Sequence, residues 1–212
     1  MKAALCKTLD GPDAVGVEEI ADPAAGPGEV VVRVRAAALN FFDTLITRGK
    51  YQTKPELPFS PGGEIAGVVE SLGPGVRDVA AGDRVAAAVG YGGAREKVVV
   101  SAASLIPVPA GVSDAVASGV SVTFGTAIHG LKDRGHVKPG ETVAVLGASG
   151  GAGQAAIEIA KLMGARVIAC ASSDEKLALC AALGADEVVN YDAVDLKQAL
   201  KDLTGGRGVD VV

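Results

Sequence analysis

The chain has 212 residues, of which 49% are hydrophobic, so it can bury one large core or two small ones. Its net charge of -5 argues against binding to a nucleic-acid backbone, and its 3% of aromatic residues gives no sign of base stacking. The N-terminus turns polar at once, and no apolar run approaches the ~20 residues that span a bilayer. Three cysteines without a C-x-x-C pair fit a reducing compartment. We therefore expect a cytoplasmic protein that binds neither nucleic acid nor membrane.

The first half of the chain is composed of short β-branched or alternating apolar runs, which are separated by Gly, Pro and Asp. Strands at this spacing, with turn residues between them, are typical of a small barrel or sandwich. The predicted strands are residues 2–8, 14–20, 29–39, 64–73, 83–90 and 96–102. A longer stretch, residues 114–135, is predicted to form one or two helices. We assign residues 1–122 to this first domain.

From Glu141 onward, strands and helices alternate, which is typical of a parallel sheet with helical crossovers. Gly164 and Gly184 stand where helix C-caps are expected. Residues 209–212 would open a fourth strand and leave a bare apolar edge, so we expect the C-terminal part of this sheet to be missing from the sequence. We assign residues 123–212 to this second domain. Its predicted strands are residues 142–147, 166–172 and 187–191, and its predicted helices are residues 151–164, 173–184 and 195–206.

A glycine-rich turn follows the first of these strands. The pattern Ala148-x-Gly150-x-x-Gly153 matches the dinucleotide fingerprint, with alanine at the tight-turn position. Gly150 would let the backbone approach a pyrophosphate, and Gly153 would let the helix pack closely on the strand. The helix N-terminus would offer its free N–H groups to the phosphates. We predict a phosphate cradle formed by Ser149, Gly150, Gly151, Ala152 and Gly153.

Two other interpretations of this turn remain open. Residues 147–151 also match G-x-S-x-G, the nucleophile elbow of serine hydrolases, with Ser149 as the nucleophile. That chemistry needs an acid and then a histidine later in the chain, but His129 and His136 both precede Ser149. The turn could also be only a tight packing turn.

The end of the second strand of the parallel sheet, residues 166–172, indicates whether the site prefers NADPH or NADH. A NAD site places an acidic residue there, about 20 residues after the glycines, to bind the ribose 2′-OH. Here Ala171, Ser172 and Ser173 occupy that place, and Lys176 lies one helical turn further on. Hydroxyls plus a cation suit a 2′-phosphate, so we predict NADPH. As alternatives, Ser172 and Glu175 could form a capping box, and Asp174 could serve a NAD ribose.

Several of these segments together resemble the zinc-free quinone oxidoreductases of the medium-chain dehydrogenase/reductase superfamily. The segments are residues 33–51, 57–76, 82–85 and 146–161. The resemblance runs from Met1 to Val212. It implies an α/β protein in which a GroES-like β-barrel domain precedes a doubly wound (Rossmann) parallel-sheet domain, the latter incomplete at Val212. It also implies a homodimer.

The resemblance also indicates whether the chain has the ligands of a zinc site. Zinc-dependent relatives carry Cys where this chain has Asn40, His where it has Gly63, and a third ligand, Cys, near Gly119. The four closely spaced cysteines of a structural zinc loop are missing as well. Catalytic zinc needs three protein ligands. We therefore expect no metal, and hydride donation to an electron-poor acceptor such as a quinone or an activated alkene.

The resemblance implies further site residues. Asn40 and Tyr51 would lie near the nicotinamide and the substrate, with Tyr51 stacking on a ring or donating a proton, and Thr123 would contact the nicotinamide half. Ser172, Lys176 and Tyr191 would surround the 2′-phosphate. Purely structural roles remain open: Asn40 could satisfy a turn, Tyr51 could cap the barrel, and Tyr191 could end a strand. For Asp43 we favour a hydrogen bond that supports the fold.

The main functional hypothesis is an NADPH-dependent quinone reductase. The alternatives are an enoyl-thioester or enone reductase on the same scaffold, a non-catalytic NADPH-binding protein, and a serine hydrolase that uses Ser149. His129 and His136 are expected to be ordinary helix or loop residues without a catalytic role. Cys170 and Cys180 are expected to be small buried hydrophobes.

Overall fold

The computed structural model describes residues 1–212, which form two compact units, Met1–Val122 and Thr123–Val212. None of its helices combines the length and the apolar character that crossing a membrane requires. The strands are β1 Lys2–Cys6, β2 Val15–Glu19, β3 Glu29–Ala38, β4 Glu64–Leu72, β5 Arg84–Ala88, β6 Lys97–Ser101, β7 Ile106–Pro107, β8 Thr142–Leu146, β9 Arg166–Ala171 and β10 Glu187–Asn190. The α-helices are α1 Phe41–Ile46, α2 Asp114–Ser118, α3 Val120–Ile128, α4 Gly151–Leu162, α5 Asp174–Ala182 and α6 Leu196–Leu203.

The first unit is built on antiparallel strands. Strands β1 and β2 form a two-stranded sheet, and a five-stranded sheet has the order β6-β3-β4-β5-β7. All six strands that the sequence predicts are present. The sequence pattern missed only β7, because two residues are too short to show an alternation. One apolar cluster of this unit is formed by Val30, Val32, Ile65, Val69, Val85, Ala87, Val98 and Val100.

The pairing of β3 with β4 fixes where the chain leaves this sheet. Ala38, the last residue of β3, pairs with Glu64, the first residue of β4. The register shifts twice along this pair, which is the signature of β-bulges. Two residues beyond Ala38, Asn40 is the N-cap of α1. Strand register therefore brings Asn40 next to Glu64, although 24 residues separate them in the sequence.

The second unit is the predicted parallel sheet, with the order β10-β9-β8. Helices α4 and α5 each end in a Schellman motif with a glycine at positive φ, as the sequence predicts. After α4, Gly164 has φ +80°, and the N–H of Ala165 donates to Ala160 at 3.0 Å. After α5, Gly184 has φ +103°, and the N–H of Ala185 donates to Cys180 at 3.2 Å.

The predicted fourth strand over residues 209–212 is reduced to one bridge. Val211 pairs in parallel with Val143 of β8, and the N–H of Ala144 donates to Val211 at 2.9 Å. Val211 also packs against the core of this unit, whereas Val212 is exposed. The N–H of Asp210 also donates to Thr142 of β8 at 2.9 Å, but the predicted four-residue strand is not formed, because the pairing is limited to this single bridge.

The helical stretch before β8 has more pieces than the one or two helices predicted. Helices α2 and α3 are separated by Gly119, and α3 is followed by a π-helical segment, His129–Arg134. Ser113 caps α2 by accepting from the N–H of Val116 at 3.2 Å. Apolar periodicity cannot distinguish a π-helix from an α-helix over six residues, because the two differ by less than one position per turn.

Candidate functional site

The glycine turn lies between β8 and α4, as the sequence predicts. Strand β8 ends at Leu146, and Gly147 then takes φ +60°. Gly150 is the N-cap of α4 and has no side chain to cap the helix. The hydrogen bonds of α4 begin at Gln154, whose N–H donates to Gly150 at 2.8 Å. The helix therefore starts without the usual side-chain cap.

The spacing of the glycines has a steric basis at Gly153. A Cβ built there would lie 2.6 Å from the carbonyl oxygen of Gly147 and 2.7 Å from both Cα and the carbonyl oxygen of Ala148. These are backbone atoms and cannot rotate away. Only glycine therefore allows α4 to pack this closely on the turn. At Gly150 a Cβ would make an ordinary 3.4 Å contact, so packing alone does not require that glycine.

The start of α4 has the chemistry of an anion site. The N–H groups of Gly151, Ala152 and Gly153 belong to the first turn, where no carbonyl of the helix can accept them. The helix dipole adds a partial positive charge at the same place. Gly150, Gly151 and Ala152 are exposed. Helix termini of this kind bind phosphate through backbone N–H groups.

Thr123 lies in the same unit as this turn. Its Cγ2 methyl would be 3.4 Å from a Cβ built on Gly151, which places α3 beside the start of α4. A cavity of about 470 Å³ lies on this side of the sheet, and its lining includes Leu146, Ala152 and Gly153. The predicted residue Thr123 thus lies beside the glycine turn.

Ser149 lacks a feature of the nucleophile elbow. An elbow serine sits on a strained backbone turn, yet His136 is the only non-glycine residue with positive φ. The backbone carbonyl of Ser149 accepts from the side chain of Gln154 at 2.8 Å. His129 is exposed and pairs with Asp133 at 3.0 Å. These observations favour the phosphate cradle over the hydrolase.

A second polar group lies at the carboxyl ends of β9 and β10. Lys176 donates from Nζ to the hydroxyl of Ser172 at 2.8 Å. Strand β10 runs beside β9, and the N–H of Tyr191 donates to Ala171 at 3.1 Å. The backbone of Tyr191 is therefore bonded to the residue that precedes Ser172. Of the three residues predicted for the 2′-phosphate, the side chains of Ser172 and Lys176 are in direct contact.

The predicted capping box at Ser172 is wrong. The N-cap of α5 is Ser173, whose hydroxyl accepts from the N–H of Lys176 at 3.4 Å. The residue with extended backbone before the helix is Ser173, so α5 begins at Asp174, and the hydroxyl of Ser172 accepts from Lys176 instead. Asp174, the alternative NAD ligand, accepts from the side-chain amide of Asn190 at 3.0 Å.

The first unit holds the other predicted group. The side-chain amide of Asn40 donates to Oε1 of Glu64 at 2.9 Å, and Glu64 is only 1% exposed. Asp43 is also buried, and it accepts from the backbone N–H of Asn40 at 2.8 Å and of Gly62 at 2.7 Å. The predicted role of Asp43 in supporting the fold matches these two bonds.

Tyr51 belongs to an aromatic pair. Its ring stacks on Phe42, with centroids 5.3 Å apart and an interplanar angle of 26°. Phe42 in turn covers Gly63, where a Cβ would overlap the ring at Cζ. The ring of Phe42 therefore occupies the space in which a side chain at position 63 would project.

A cavity of about 360 Å³ lies beside Asn40. Its lining is mostly apolar and includes a few polar side chains, which is the usual character of small-molecule sites. The lining residues are Ala4, Pro12, Val15, Leu39, Asn40, Asp43, Thr44, Thr47, Pro61 and Ala94.

Sequence reasoning missed Glu64 and Phe42 as members of this group. Glu64 opens an apolar strand, and a carboxylate there is the one signal that could have marked it, because carboxylates are seldom fully buried without a partner.

Cys170 and Cys180 are fully buried free thiols, as predicted, and burial raises the pKa of Cys170 to about 11. The chain holds no group of three or more His, Cys, Asp or Glu side chains placed to bind a metal ion.

Two family models match the chain. Residues 26–110 match the alcohol dehydrogenase GroES-like domain, and residues 151–212 match the zinc-binding dehydrogenase family. The quinone oxidoreductase-like protein 2 of Rattus norvegicus is 41% identical over 211 residues, which is 99% of this chain and 60% of that protein. The chain therefore spans about three fifths of the length of the relatives it matches.

The structure of this chain is also similar to solved structures of oxidoreductases. A probable oxidoreductase from Mycobacterium abscessus has a TM-score of 0.94 and 42% identity, over 100% of this chain and 67% of that one. The quinone oxidoreductase of Thermus thermophilus, described alone and in complex with NADPH, has a TM-score of 0.85 and 42% identity, over 96% of this chain and 63% of that one. The predicted fold class, a GroES-like domain with a Rossmann-like parallel-sheet domain, is confirmed. The chain belongs to the medium-chain dehydrogenase/reductase superfamily of oxidoreductases.

Proposed function

We propose that this chain binds NADPH and, in the whole protein, transfers hydride from its nicotinamide to a quinone without a metal ion. The observation that carries the proposal is the start of α4. There, three backbone N–H groups have no acceptor within the helix, no side chain caps the helix, and Gly153 permits a contact that a Cβ would block. A turn with these properties suits a dinucleotide pyrophosphate.

The preference for NADPH is supported by Ser172 and Lys176. Their hydroxyl and ammonium groups already lie within 2.8 Å of each other at the end of β9, where a NAD site would carry an acidic side chain. Tyr191 directly follows β10, and its N–H donates to Ala171, the residue before Ser172. We propose that Lys176 forms the charge-assisted bond to the 2′-phosphate, with Ser172 and Tyr191 completing the contact. The NADPH complex of the Thermus relative agrees with this choice.

The absence of metal chemistry is supported by Asn40 and Gly63. An amide stands where zinc-dependent relatives carry a thiolate, and the amide is held by Glu64. A histidine at position 63 would need the space that Phe42 fills. The stretch that matches the zinc-binding family model, residues 151–212, contains no histidine, and both of its cysteines are buried.

Bound NADPH supplies the hydride, and the residues of the chain hold and orient it. We assign the pyrophosphate to the N–H groups of Gly151, Ala152 and Gly153, together with Ser149 and Gly150. At the reacting end we propose that Thr123 contacts the nicotinamide half, and that Asn40 and Tyr51 contact the nicotinamide and the acceptor. The stacked pair of Tyr51 and Phe42 offers a flat apolar surface, which suits a ring such as a quinone.

The experiment is the oxidation of NADPH and of NADH at 340 nm, with and without 1,4-benzoquinone, on the full-length protein without added metal. The proposal requires NADPH loss that depends on the quinone, is slower with NADH and survives a chelator. Turnover of an enoyl thioester or enone instead of the quinone would assign the alkene reductase. NADPH binding without turnover of either acceptor would assign a non-catalytic role. Labelling of Ser149 by a fluorophosphonate would overturn the assignment of the glycine turn to pyrophosphate binding.

We also propose that the whole protein is a homodimer in the cytoplasm. The dimer is supported by the family resemblance, and the location by the three free cysteines, which suit a reducing compartment. Light scattering of the full-length protein tests the dimer, and fractionation of its source cells tests the location.

A further inference from the structure

Glu64 is a buried carboxylate without a cationic partner. It is 1% exposed and forms no ion pair. Oε1 accepts from the side-chain amide of Asn40 at 2.9 Å, and Oε2 accepts from the backbone N–H of Val122 at 2.7 Å. Val122 lies in the first turn of α3, where a negative charge is favoured by the helix dipole. Both oxygens of Glu64 are therefore committed to named donors.

These bonds determine which way the amide of Asn40 faces. A carboxylate can only accept, so Nδ2 of Asn40 must point to Glu64, and the carbonyl oxygen Oδ1 points away from it, on the side of the backbone N–H of Asp43 with which it forms the capping box of α1. The reverse orientation would bring two acceptors together at 2.9 Å and leave a buried charge without its donor. The bond from the backbone N–H of Asn40 to Asp43 further restrains the residue.

We propose that Glu64 is a positioning residue that presents Oδ1 of Asn40 as a fixed acceptor, so that the ligand group opposite Asn40 is an N–H or O–H donor. The proposal rests on the proposed function, since the donors it selects are the carboxamide NH₂ of a nicotinamide or the hydroxyl of a reduced acceptor.

The bond to Val122 makes this proposal testable by a single-atom change. In Glu64→Gln the backbone N–H of Val122 can only donate, so the amide oxygen of the introduced glutamine must face it. The amide nitrogen of that glutamine then faces Asn40, and Asn40 must turn its oxygen inward and its nitrogen outward. The variant keeps the shape of the side chain and inverts the polarity that Asn40 shows to a ligand.

A second substitution restores that polarity. In Asn40→Asp/Glu64→Gln, the introduced aspartate accepts from the glutamine amide with one oxygen and presents the other oxygen outward. The total charge is unchanged, and aspartate is a favoured N-cap residue. The matched control is Glu70→Gln, on the same strand β4, whose carboxylate pairs with Lys97 on the surface.

The first measurement is kcat/KM for NADPH and quinone. Glu64→Gln should lower it about 10- to 100-fold, the range expected for a mismatched hydrogen bond to a buried polar group. The double variant should recover to within about threefold of wild type, and Glu70→Gln should match wild type. A double variant no more active than Glu64→Gln, with both folded, overturns the proposal. A loss of activity that only follows a loss of stability in urea overturns it too, because Oδ1 of Asn40 also caps α1.

The second measurement needs no activity. In the free wild-type protein, one Nδ2 proton of Asn40 should be shifted downfield and protected from solvent exchange by its bond to Glu64, and Glu64→Gln should remove that protection. An unprotected Asn40 amide in the wild type overturns the proposal even if the variants do not fold. Protection in a wild type that does not oxidise NADPH supports the positioning role and refutes the quinone reductase instead.

Discussion

Replacing Gly153 by alanine should damage both the fold and cofactor binding. The new Cβ would lie 2.6 Å from Gly147 O, against an ordinary contact of 3.4 Å, so the start of α4 must retreat by about 0.8 Å. Overpacking of this size costs about 1–3 kcal/mol. The N–H groups of the first turn move with the helix, so we expect the affinity for NADPH to fall at least tenfold, about 1.4 kcal/mol.

The control for Gly153→Ala is Gly150→Ala in the same turn. Gly150 has φ -75°, and its Cβ would make only a 3.4 Å contact, so the loss of stability should stay within about 1 kcal/mol. The added methyl would nevertheless stand at the point where the backbone approaches the pyrophosphate, and NADPH affinity should again fall about tenfold.

The assays are urea unfolding of each variant and titration of NADPH by its fluorescence. The steric argument requires Gly153→Ala to be clearly less stable than Gly150→Ala, while both bind NADPH weakly. If Gly153→Ala unfolds at the same urea concentration as wild type, the close approach of α4 to the turn is not real. If both variants bind NADPH as wild type does, the turn does not hold the cofactor.

Three further predictions concern other residues. Lys176→Met should weaken NADPH binding about 10- to 100-fold while leaving NADH within about twofold, because it removes one charge-assisted bond to the 2′-phosphate; equilibrium titration measures both. Gly63→Ala should displace the ring of Phe42 from Tyr51 and cost about 1–3 kcal/mol of the free energy of unfolding, measured in urea. Cys170 should resist alkylation at pH 8, because burial raises the pKa of its thiol to about 11. The folded state keeps this proton while the unfolded thiol loses it near pH 9, so stability should fall as the pH rises from about 9 through 11.

Each of these has a matched comparison. Lys197→Met removes an exposed lysine of α6 and should leave NADPH affinity unchanged. An equal loss of affinity in Lys176→Met and Lys197→Met would mean that only the net charge of the protein matters. Gly125→Ala places its methyl in open space and should cost little, so similar costs at positions 125 and 63 would contradict the packing of Phe42. Alkylation of Cys170 in the folded protein, or alkaline unfolding unchanged in Cys170→Val, would contradict the burial argument.

The sequence determined strands β1 to β6 and β8 to β10, helices α4 to α6 and their order, but not α1, β7 or the π-helical segment. Alternation of apolar residues marked β1 to β6, and Gly164 and Gly184 marked the ends of α4 and α5, because these signals act between residues near each other in the chain. The glycine turn could be placed for the same reason, since its strand, loop and helix are contiguous. The N-cap of α5 was missed by one residue because Ser172 and Ser173 are equivalent by composition, and only the length of β9 decides between them.

Tertiary structure alone decided the contacts between distant residues. The register of β3 against β4 brings Glu64 to Asn40, and the fold of α1 lays Phe42 over Gly63 and against Tyr51. No local pattern encodes these pairs, because they depend on how separate elements pack. The sequence thus specified the glycine turn at the start of α4. The direction in which Asn40 presents its amide, by contrast, is set by a carboxylate that lies 24 residues away in the chain and is adjacent only in the folded sheet.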